Sequence, residues 1–482
     1  MNVKKATNYF LAALLTLVGY YIVSAGVVGY QAYTLKSEVK TLFDQIRIGD
    51  TVNYENQITK KIDSEIIGLN STLTNPFWRP LTNHFLKDSQ KEIVLALQLV
   101  KVAPSVMGSQ SPKKYLLVFQ NSAESRGTGG IIGAYAEVQV YRGAVTVIRQ
   151  GSNVGLKSLN VIPIAMPDEY NTLWGSDPAI WQNSNDSPHF PYAAQIYSAL
   201  WKNQFHETLD GVIATDPEAL SSVLKAIGPV TLASGEVIDS SNVVSKTLST
   251  AYQRFATNNL ARKEYLVQVM KAVIQKLMSG SYSKINLARE LQTPLLDNRI
   301  LFSLAAPDDQ AVIAPTVVSG VLSSAPDKEF RVVIINTSGN KLDYYLTKVT
   351  NIRSLSCKVP ATTEVTETVT NTLISAKGLP DYVVGRLDLN LPHGANGRDG
   401  FTVMIYGPTG AEVQSAERSD SAQNGPQILA ERGHPVTLFP TDMAPKASET
   451  FDVVFSGGVG PITYVKQPLV NPEKLSIKDG CR

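Results

Sequence analysis

The stretch from Lys114 to Gln150 constrains the fold more than any other. It reads KYLLVFQ, NSAESRGTGG, IIGAYAEVQVY, RG and AVTVIRQ in succession. The unbroken apolar run Tyr115–Phe119 predicts a strand buried on both faces, because a strand with one wet face alternates. This strand is expected to empty into a Gly-rich loop, and a hairpin follows with Arg142-Gly143 as its turn. Ala134, Ala136, Val138 and Val140 share one face of the second strand, and Tyr135, Glu137 and Gln139 share the other. In the third strand Arg149 continues the face of Val145 and Val147. Gly127, Gly129, Gly130 and Gly133 are also open to a phosphate-loop reading. Such a loop opens a helix, whereas IIGAYAEVQVY reads as a strand, so a turn is expected. Two arginines stand out: Arg126 at the end of a buried strand and Arg149 on an apolar face. A guanidinium is costly to bury unless an anion or acceptors meet it. The pair points to an anion site beside the end of the first strand.

No charged residue occurs from Ala6 to Leu35. The mainly apolar run Tyr9–Tyr30 has the roughly 20 residues that a membrane helix needs. Lys4 and Lys5 precede it, which favours an N-terminus in the cytoplasm. The expectation is residues 1–8 as a cytoplasmic tail, 9–30 as a transmembrane helix, and the bulk outside the cell membrane in a single-pass arrangement. The alternative is a cleaved secretory signal with Val23-Ser24-Ala25 as its small-residue site. The apolar run exceeds a signal core of about 7–15 residues. Cys357 and Cys481 then sit where thiols oxidise, as a disulfide candidate or as two free thiols. Lys and Arg number 44 against 42 Asp and Glu, a balance that does not point to nucleic acid. The five histidines are scattered, and neither cysteine forms a CxxC pair, so no metal site is expected.

Residues 31–108 read as a helical neck, with Leu35, Val39, Leu42 and Phe43 on one stripe and Ile93, Val94, Leu97 and Val100 on another. Residues 109–310 read as an α/β domain, a sheet with helices on both faces. Its later elements are the strand Leu209–Ala214, the helix Glu218–Ile227 behind Asp216-Pro217, and a helix from Pro191 to Trp201. NSNDSPHFP before that helix reads as a loop capped by Asp186 or Ser187. In the helix Asn259–Leu277, Leu266, Val269, Met270, Val273 and Leu277 form one stripe. Arg262 lies in its middle, near the helix N-terminus, and faces either an anion or a core carboxylate. Lys263, Glu264, Gln268, Lys271 and Gln275 read as solvated. Residues 311–482 carry short β-like runs at Val332–Ile335, Leu342–Val349, Val365–Leu373, Val383–Leu391, Thr402–Tyr406 and Phe451–Phe455, which predict an all-β sandwich. Asp399 and Glu431 read as ordinary surface charges.

LLVFQNSAESRGTGG, VTVIRQGS, LDGVIATDPEALSSVLKAIGPVTL, AYQRF and NNLARKEYLVQVMKAVIQKL resemble, in order, five motifs of the LytR-CpsA-Psr domain. The whole layout is closer still to an uncharacterised family of Gram-positive, actinobacterial-type envelope proteins. That domain-of-unknown-function family has an N-terminal membrane helix, NxAExRxTGG and DGVIAxDP motifs, and a β-rich C-terminal region.

The resemblance implies a LytR-CpsA-Psr-like sheet that binds a polyprenyl-pyrophosphate lipid carrying a glycopolymer. Enzymes of that group transfer the polymer to peptidoglycan. By position, Arg126, Arg149, Arg254 and Arg262 match the arginines that grip the pyrophosphate. The family's acidic positions fall on Asn121, Thr128, Gln150 and Asn259, and two helix positions fall on Tyr265 and Leu266, so the site keeps its positive charge and loses its carboxylates. Magnesium recruits one or two carboxylates, so it enters only if Glu124 or Asp216 stands in for the missing aspartates. Either of these would also have to serve as base. Three functions follow: an envelope protein that holds a lipid-linked or wall glycopolymer without turnover, a glycopolymer transferase, or a structural or adhesive surface protein. The catalytic residues are unassigned.

Overall fold

The computed structural model describes residue 64 and residues 90–481, apart from 422. The expected membrane segment and most of the neck lie outside the described residues. Among the described residues no helix is long and apolar enough to cross a membrane. The described chain is a mixed α/β structure followed by two packed β-sheets.

Helix α1 (Gln90–Val106) leads into three strands, β1 (Lys113–Arg126), β2 (Gly129–Tyr141) and β3 (Ala144–Ser152). The β2–β3 turn is Arg142-Gly143, with φ 47° and 75°, the left-handed pair that a two-residue hairpin requires. After a long connection come helix α2 (Phe190–Phe205), strand β4 (Gly211–Thr215) and helix α3 (Pro217–Ile227). A small hairpin of β5 (Val230–Thr231) and β6 (Val237–Ile238) follows. Then come helices α4 (Asn259–Ser279) and α5 (Lys284–Leu296), and strand β7 (Ile300–Leu304). The sheet order is β3-β2-β1-β4-β7, with β1 and β4 parallel and the other pairs antiparallel.

The sheet is covered on both faces. On one, Leu116, Val118 and Tyr135 share a core with Tyr197 and Trp201 of α2 and with Trp181. On the other face Leu117, Phe119, Ala134 and Ala136 meet Met270 of α4. The small alanines let that helix come close.

Two expectations about the first three strands are corrected. The NSAESR stretch is strand and not loop, because β1 runs on to Arg126. Its pairing jumps from Asn121↔Ile131 to Ser125↔Gly130, so Ser122, Ala123 and Glu124 bulge out of the ladder. The glycines serve close approach there: a Cβ on Gly127 would stand 2.1 Å from the Asp186 carbonyl oxygen, and one on Gly130 would stand 2.3 Å from the Asn121 backbone. In β3, Val147 pairs with Val138 and Arg149 with Glu137. Ile148 is therefore an extra residue, and this bulge turns Arg149 to the face opposite Val147.

The remaining strands are β8 (Glu329–Asn336), β9 (Leu346–Ser356), β10 (Thr362–Asn371), β11 (Asp399–Tyr406) and β12 (Glu412–Arg418). They continue with β13 (Gln427–Glu431), β14 (His434–Met443), β15 (Ser448–Ser456), β16 (Thr463–Tyr464) and β17 (Lys474–Lys478). They form two sheets, β12-β15-β10-β9-β17 and β13-β14-β11-β8-β16. Alternate residues such as Val365, Val369, Phe401, Val403, Phe439, Phe451 and Phe455 fill the space between them, the packing of a β-sandwich. The outer face of the second sheet is also buried: Val333, Ile335, Met404 and Tyr406 meet Leu322, with Leu173 and Trp174 of the α/β part.

Cys357 and Cys481 form a disulfide, with Cα atoms 5.4 Å apart. The expected strand Val383–Leu391 is instead a short helix, Asp381–Val384, and a turn at Leu387–Leu389. Leu387, Leu389 and Leu391 are exposed there, so an apolar run lies on the surface where a strand was expected. Asp399 and Glu431 are fully buried, not surface charges. Glu431 accepts hydrogen bonds from Ser187 (2.6 Å) and Tyr406 (2.8 Å). Asp399 accepts one from Ser338.

Candidate anion site

Arg126 is 5% exposed at the C-terminal end of β1. Its guanidinium is ion-paired with Glu124 at 2.9 Å and Asp186 at 3.0 Å. It also donates to the carbonyls of Ser125, Gln182 and Asn336 and to Asn183 Oδ1. A guanidinium has five N–H donors, and here they tie β1 to the 182–186 loop and to β8. Asp186 is thus Arg126's partner and not a helix cap; α2 begins after His189 without a side-chain cap. Burial pushes the Asp186 carboxyl up to about 7, against the pull of Arg126.

Arg149 and Arg254 do not join Arg126 in one cluster. Arg149 pairs with Glu137 (3.1 Å) and Glu207 (3.2 Å) and lies over the rings of Trp201 and Phe205. Both rings belong to α2, so Arg149 stands on the α2 face. Arg254 is exposed, paired with Glu236 at 2.7 Å, and lies over Phe255 and Tyr265. Arg262 belongs to α4, on the opposite face from Arg149. The four arginines expected to act together are thus spread out: the β3 bulge puts Arg149 on the opposite face of the sheet from Arg262, and Arg254 is paired with Glu236.

Arg262 differs from the rest. It is 2% exposed. Its guanidinium lies 4.5 Å from the ring centre of Tyr252 and 4.6 Å from that of Tyr382. Nη2 donates to Asn259 Oδ1, while the buried Nη1 has no hydrogen-bond partner. No carboxylate lies within ion-pair distance among the described residues. Beside it Lys263 is 6% exposed, not solvated as its helical position suggested. Among the described residues it has no hydrogen bond or ion pair. Burial, then the neighbouring Arg262 and Lys341, push its amine down to about 7.

The sandwich supplies the rest of the cluster. Lys341, buried in the loop after β8, donates to Glu124 Oε2 and lies 4.8 Å from the Tyr382 ring centre. Burial alone would lower the Lys341 amine; Glu124 more than offsets it. Burial likewise pushes the Glu124 carboxyl up, but Lys341 and Arg126 hold it below the usual range. Asn121 Nδ2 donates to the Tyr252 hydroxyl at 2.5 Å. Tyr382 is 40% exposed and forms the outer wall. Lys263 therefore has one carboxylate, Glu124, in its field, and that carboxylate is already shared by Arg126 and Lys341.

The remaining candidate positions are committed elsewhere. Thr128 Oγ1 accepts from Gln120 and Asn185. Asp216 caps α3 through the Ala219 amide (2.7 Å) and pairs with Arg299 (2.5 Å). Glu124 lies between two cations, and Asp216 is bound to Arg299. Among the described residues no three His, Cys, Asp or Glu side chains group as metal ligands. Lys341 and Tyr382 escaped the sequence reading because they lie beyond residue 310 and on no periodic stripe. Lys263 had a signal, its place beside an inward-facing arginine at a helix start.

Residues 110–252 match a family described as "Protein of unknown function (DUF4012)". No curated protein matches the chain. Among solved structures, the chain is similar to a protein from Streptococcus agalactiae, at 14% identity over 45% of this chain and 76% of that one, with a TM-score of 0.25. It is similar to a Bacillus subtilis protein described as a transcriptional regulator, at 12% identity over 45% and 84%, with a TM-score of 0.23. It is similar to a Listeria innocua protein at 13% identity over 46% and 85%, with a TM-score of 0.24. At such scores the fold rests on its own strands and helices.

Proposed function

We propose that this chain is a membrane-anchored, extracytoplasmic envelope protein that holds the pyrophosphate of a lipid-linked or wall glycopolymer without turning it over. The binding groups are Arg262, Lys263 and Lys341, with Tyr252 and Tyr382 as walls. One observation carries this reading: Arg262 is buried between two tyrosine rings, with no carboxylate within ion-pair distance among the described residues and with an unpartnered Nη1. A buried guanidinium without a countercharge is costly, and a pyrophosphate supplies two negative charges and bidentate acceptors.

The LytR-CpsA-Psr-like reading of the sheet with helices on both faces agrees with this, as does the position of Arg262 in the resemblance. The Cys357–Cys481 disulfide fits a place outside the cytoplasm. A transferase needs a general base. Glu124 is held ionised against two cations and Asp216 is bound to Arg299, which favours binding over turnover. Arg126, Arg149 and Arg254 are structural in this reading.

The test is binding of a polyprenyl-pyrophosphate-linked saccharide to the full chain in detergent, with and without magnesium. Metal-independent binding that Arg262→Met weakens about ten- to a hundredfold supports the proposal. Binding that needs magnesium would return the transferase, and absence of binding would leave a structural surface protein.

A further inference from the structure

A cavity of about 490 Å³ lies where the α/β part meets the sandwich. Its volume is within the roughly 300–1,000 Å³ of small-molecule sites, which favour seams of this kind. It is separate from the cluster around Arg262 and shares none of its residues. Leu301, Val317, Val321, Val333 and Val465 make much of its wall apolar.

Three cationic side chains line it: Arg331, Arg432 and Lys466. Two are already satisfied. Arg331 pairs with Glu329 at 2.7 Å and donates to the Val321 carbonyl at 2.6 Å. Lys466 pairs with Asp297 at 3.3 Å. Arg432 is different. Its Nε donates to the Leu322 carbonyl at 2.7 Å, and Nη1 reaches the Tyr192 hydroxyl at 3.4 Å. No carboxylate pairs with it among the described residues. The cavity thus has an apolar body and one guanidinium without a countercharge.

We propose that this cavity binds a small amphipathic anion, an apolar chain ending in a phosphate or carboxylate, with Arg432 as the contact for the anionic head. Arg432 sits at the tip of the β13–β14 hairpin with φ 55°. The backbone is not the argument, since Arg142 occupies the same kind of turn. It does provide a clean variant: asparagine suits a left-handed turn position, so Arg432→Asn removes the charge and keeps the hairpin. Ala314 also lines the cavity, and Ala314→Phe narrows it while leaving Arg432 in place.

The experiment is calorimetric titration of the full chain in detergent with octyl phosphate, beside octanol and inorganic phosphate. Saturable binding of octyl phosphate is expected, at least tenfold tighter than either control. Arg432→Asn should weaken it at least tenfold with an unchanged melting temperature, and Arg432→Lys should restore part of it. Ala314→Phe should weaken it as well. Lack of saturable binding, equal binding of octanol, or binding unmoved by Arg432→Asn would overturn the proposal. Arg262→Met leaves this binding intact, which keeps the two sites distinguishable.

Discussion

Arg126 and Arg262 are both buried, and they share one network: Glu124 bridges Arg126 to Lys341, and Lys341 lies over the same Tyr382 ring as Arg262. Their surroundings are nevertheless opposite. Arg126 has two carboxylates and a set of acceptors. Arg262 has two aromatic faces and one amide oxygen. A buried cation that is fully paired works as scaffold, since removing it strands its partners. A buried cation left short of countercharge costs stability in the free protein and recovers it when an anion binds. Burial alone does not separate the two cases; the census of partners does.

The largest test breaks the scaffold side. Arg126→Met leaves Glu124 and Asp186 facing each other's field in the interior. It should destabilise the protein by about 3–5 kcal/mol, read from chemical denaturation. A loss below about 1 kcal/mol would mean that Arg126 is not the hub.

The complementary change is Arg262→Met. Folding stability should hold or rise, because an underpaired charge is removed. Pyrophosphate affinity should fall about ten- to a hundredfold, the effect of losing charge-assisted hydrogen bonds of about 1.5–3 kcal/mol. Loss of stability at unchanged affinity would reverse the comparison.

Lys263 sharpens it through pH. Its amine is held at about 7 in the folded protein, below the ordinary lysine value. From about 7 up to that value the unfolded chain carries the proton and the folded one does not. Stability therefore rises with pH across this window, by up to about 1.4 kcal/mol per unit. It falls as pH drops toward 7. Lys263→Met should remove that slope and gain most over the parent at or below pH 7. Ligand binding runs the other way. An anion favours the charged amine, so a pyrophosphate diester should bind best below about pH 7, and its affinity should decline above it. Calorimetry in buffers of different ionisation enthalpy should show proton uptake at pH 8, and its absence would exclude Lys263 from the site.

The smallest effects belong to the walls and the rim. Tyr382→Ala should weaken anion binding by about 0.5–2 kcal/mol, the range of a cation–π contact. Arg254→Ala, at an exposed pair, should change stability by no more than about 1 kcal/mol and leave anion affinity unchanged. A larger loss of affinity in Arg254→Ala would restore it to the site.

Much of the framework was legible before the structure. The β2–β3 hairpin, its Arg142-Gly143 turn, the faces of β2, and the helix behind Asp216-Pro217 follow from period-2 alternation and turn chemistry. The inward facing of Arg262 follows from helical period. Arg149 was misread because one inserted residue, Ile148, reverses every face beyond it, and a bulge leaves no mark in composition. Lys263 was misread because a helical wheel shows direction and not what lies outside. Loops from residue 341 onward cover that side of α4.

The sequence by itself determined where most strands and helices of the α/β part form, which face of β2 and which stripe of α4 turn inward, and that Arg262 lies on that stripe. These are short-range properties, set by spacing along the chain. Tertiary structure alone decided which charges are paired. Glu124 meets Lys341 across 217 positions, and Arg262 meets Tyr382 through a segment of the sandwich. Coulomb energies depend on distance in space and on exclusion of water, and neither is written into the spacing of residues.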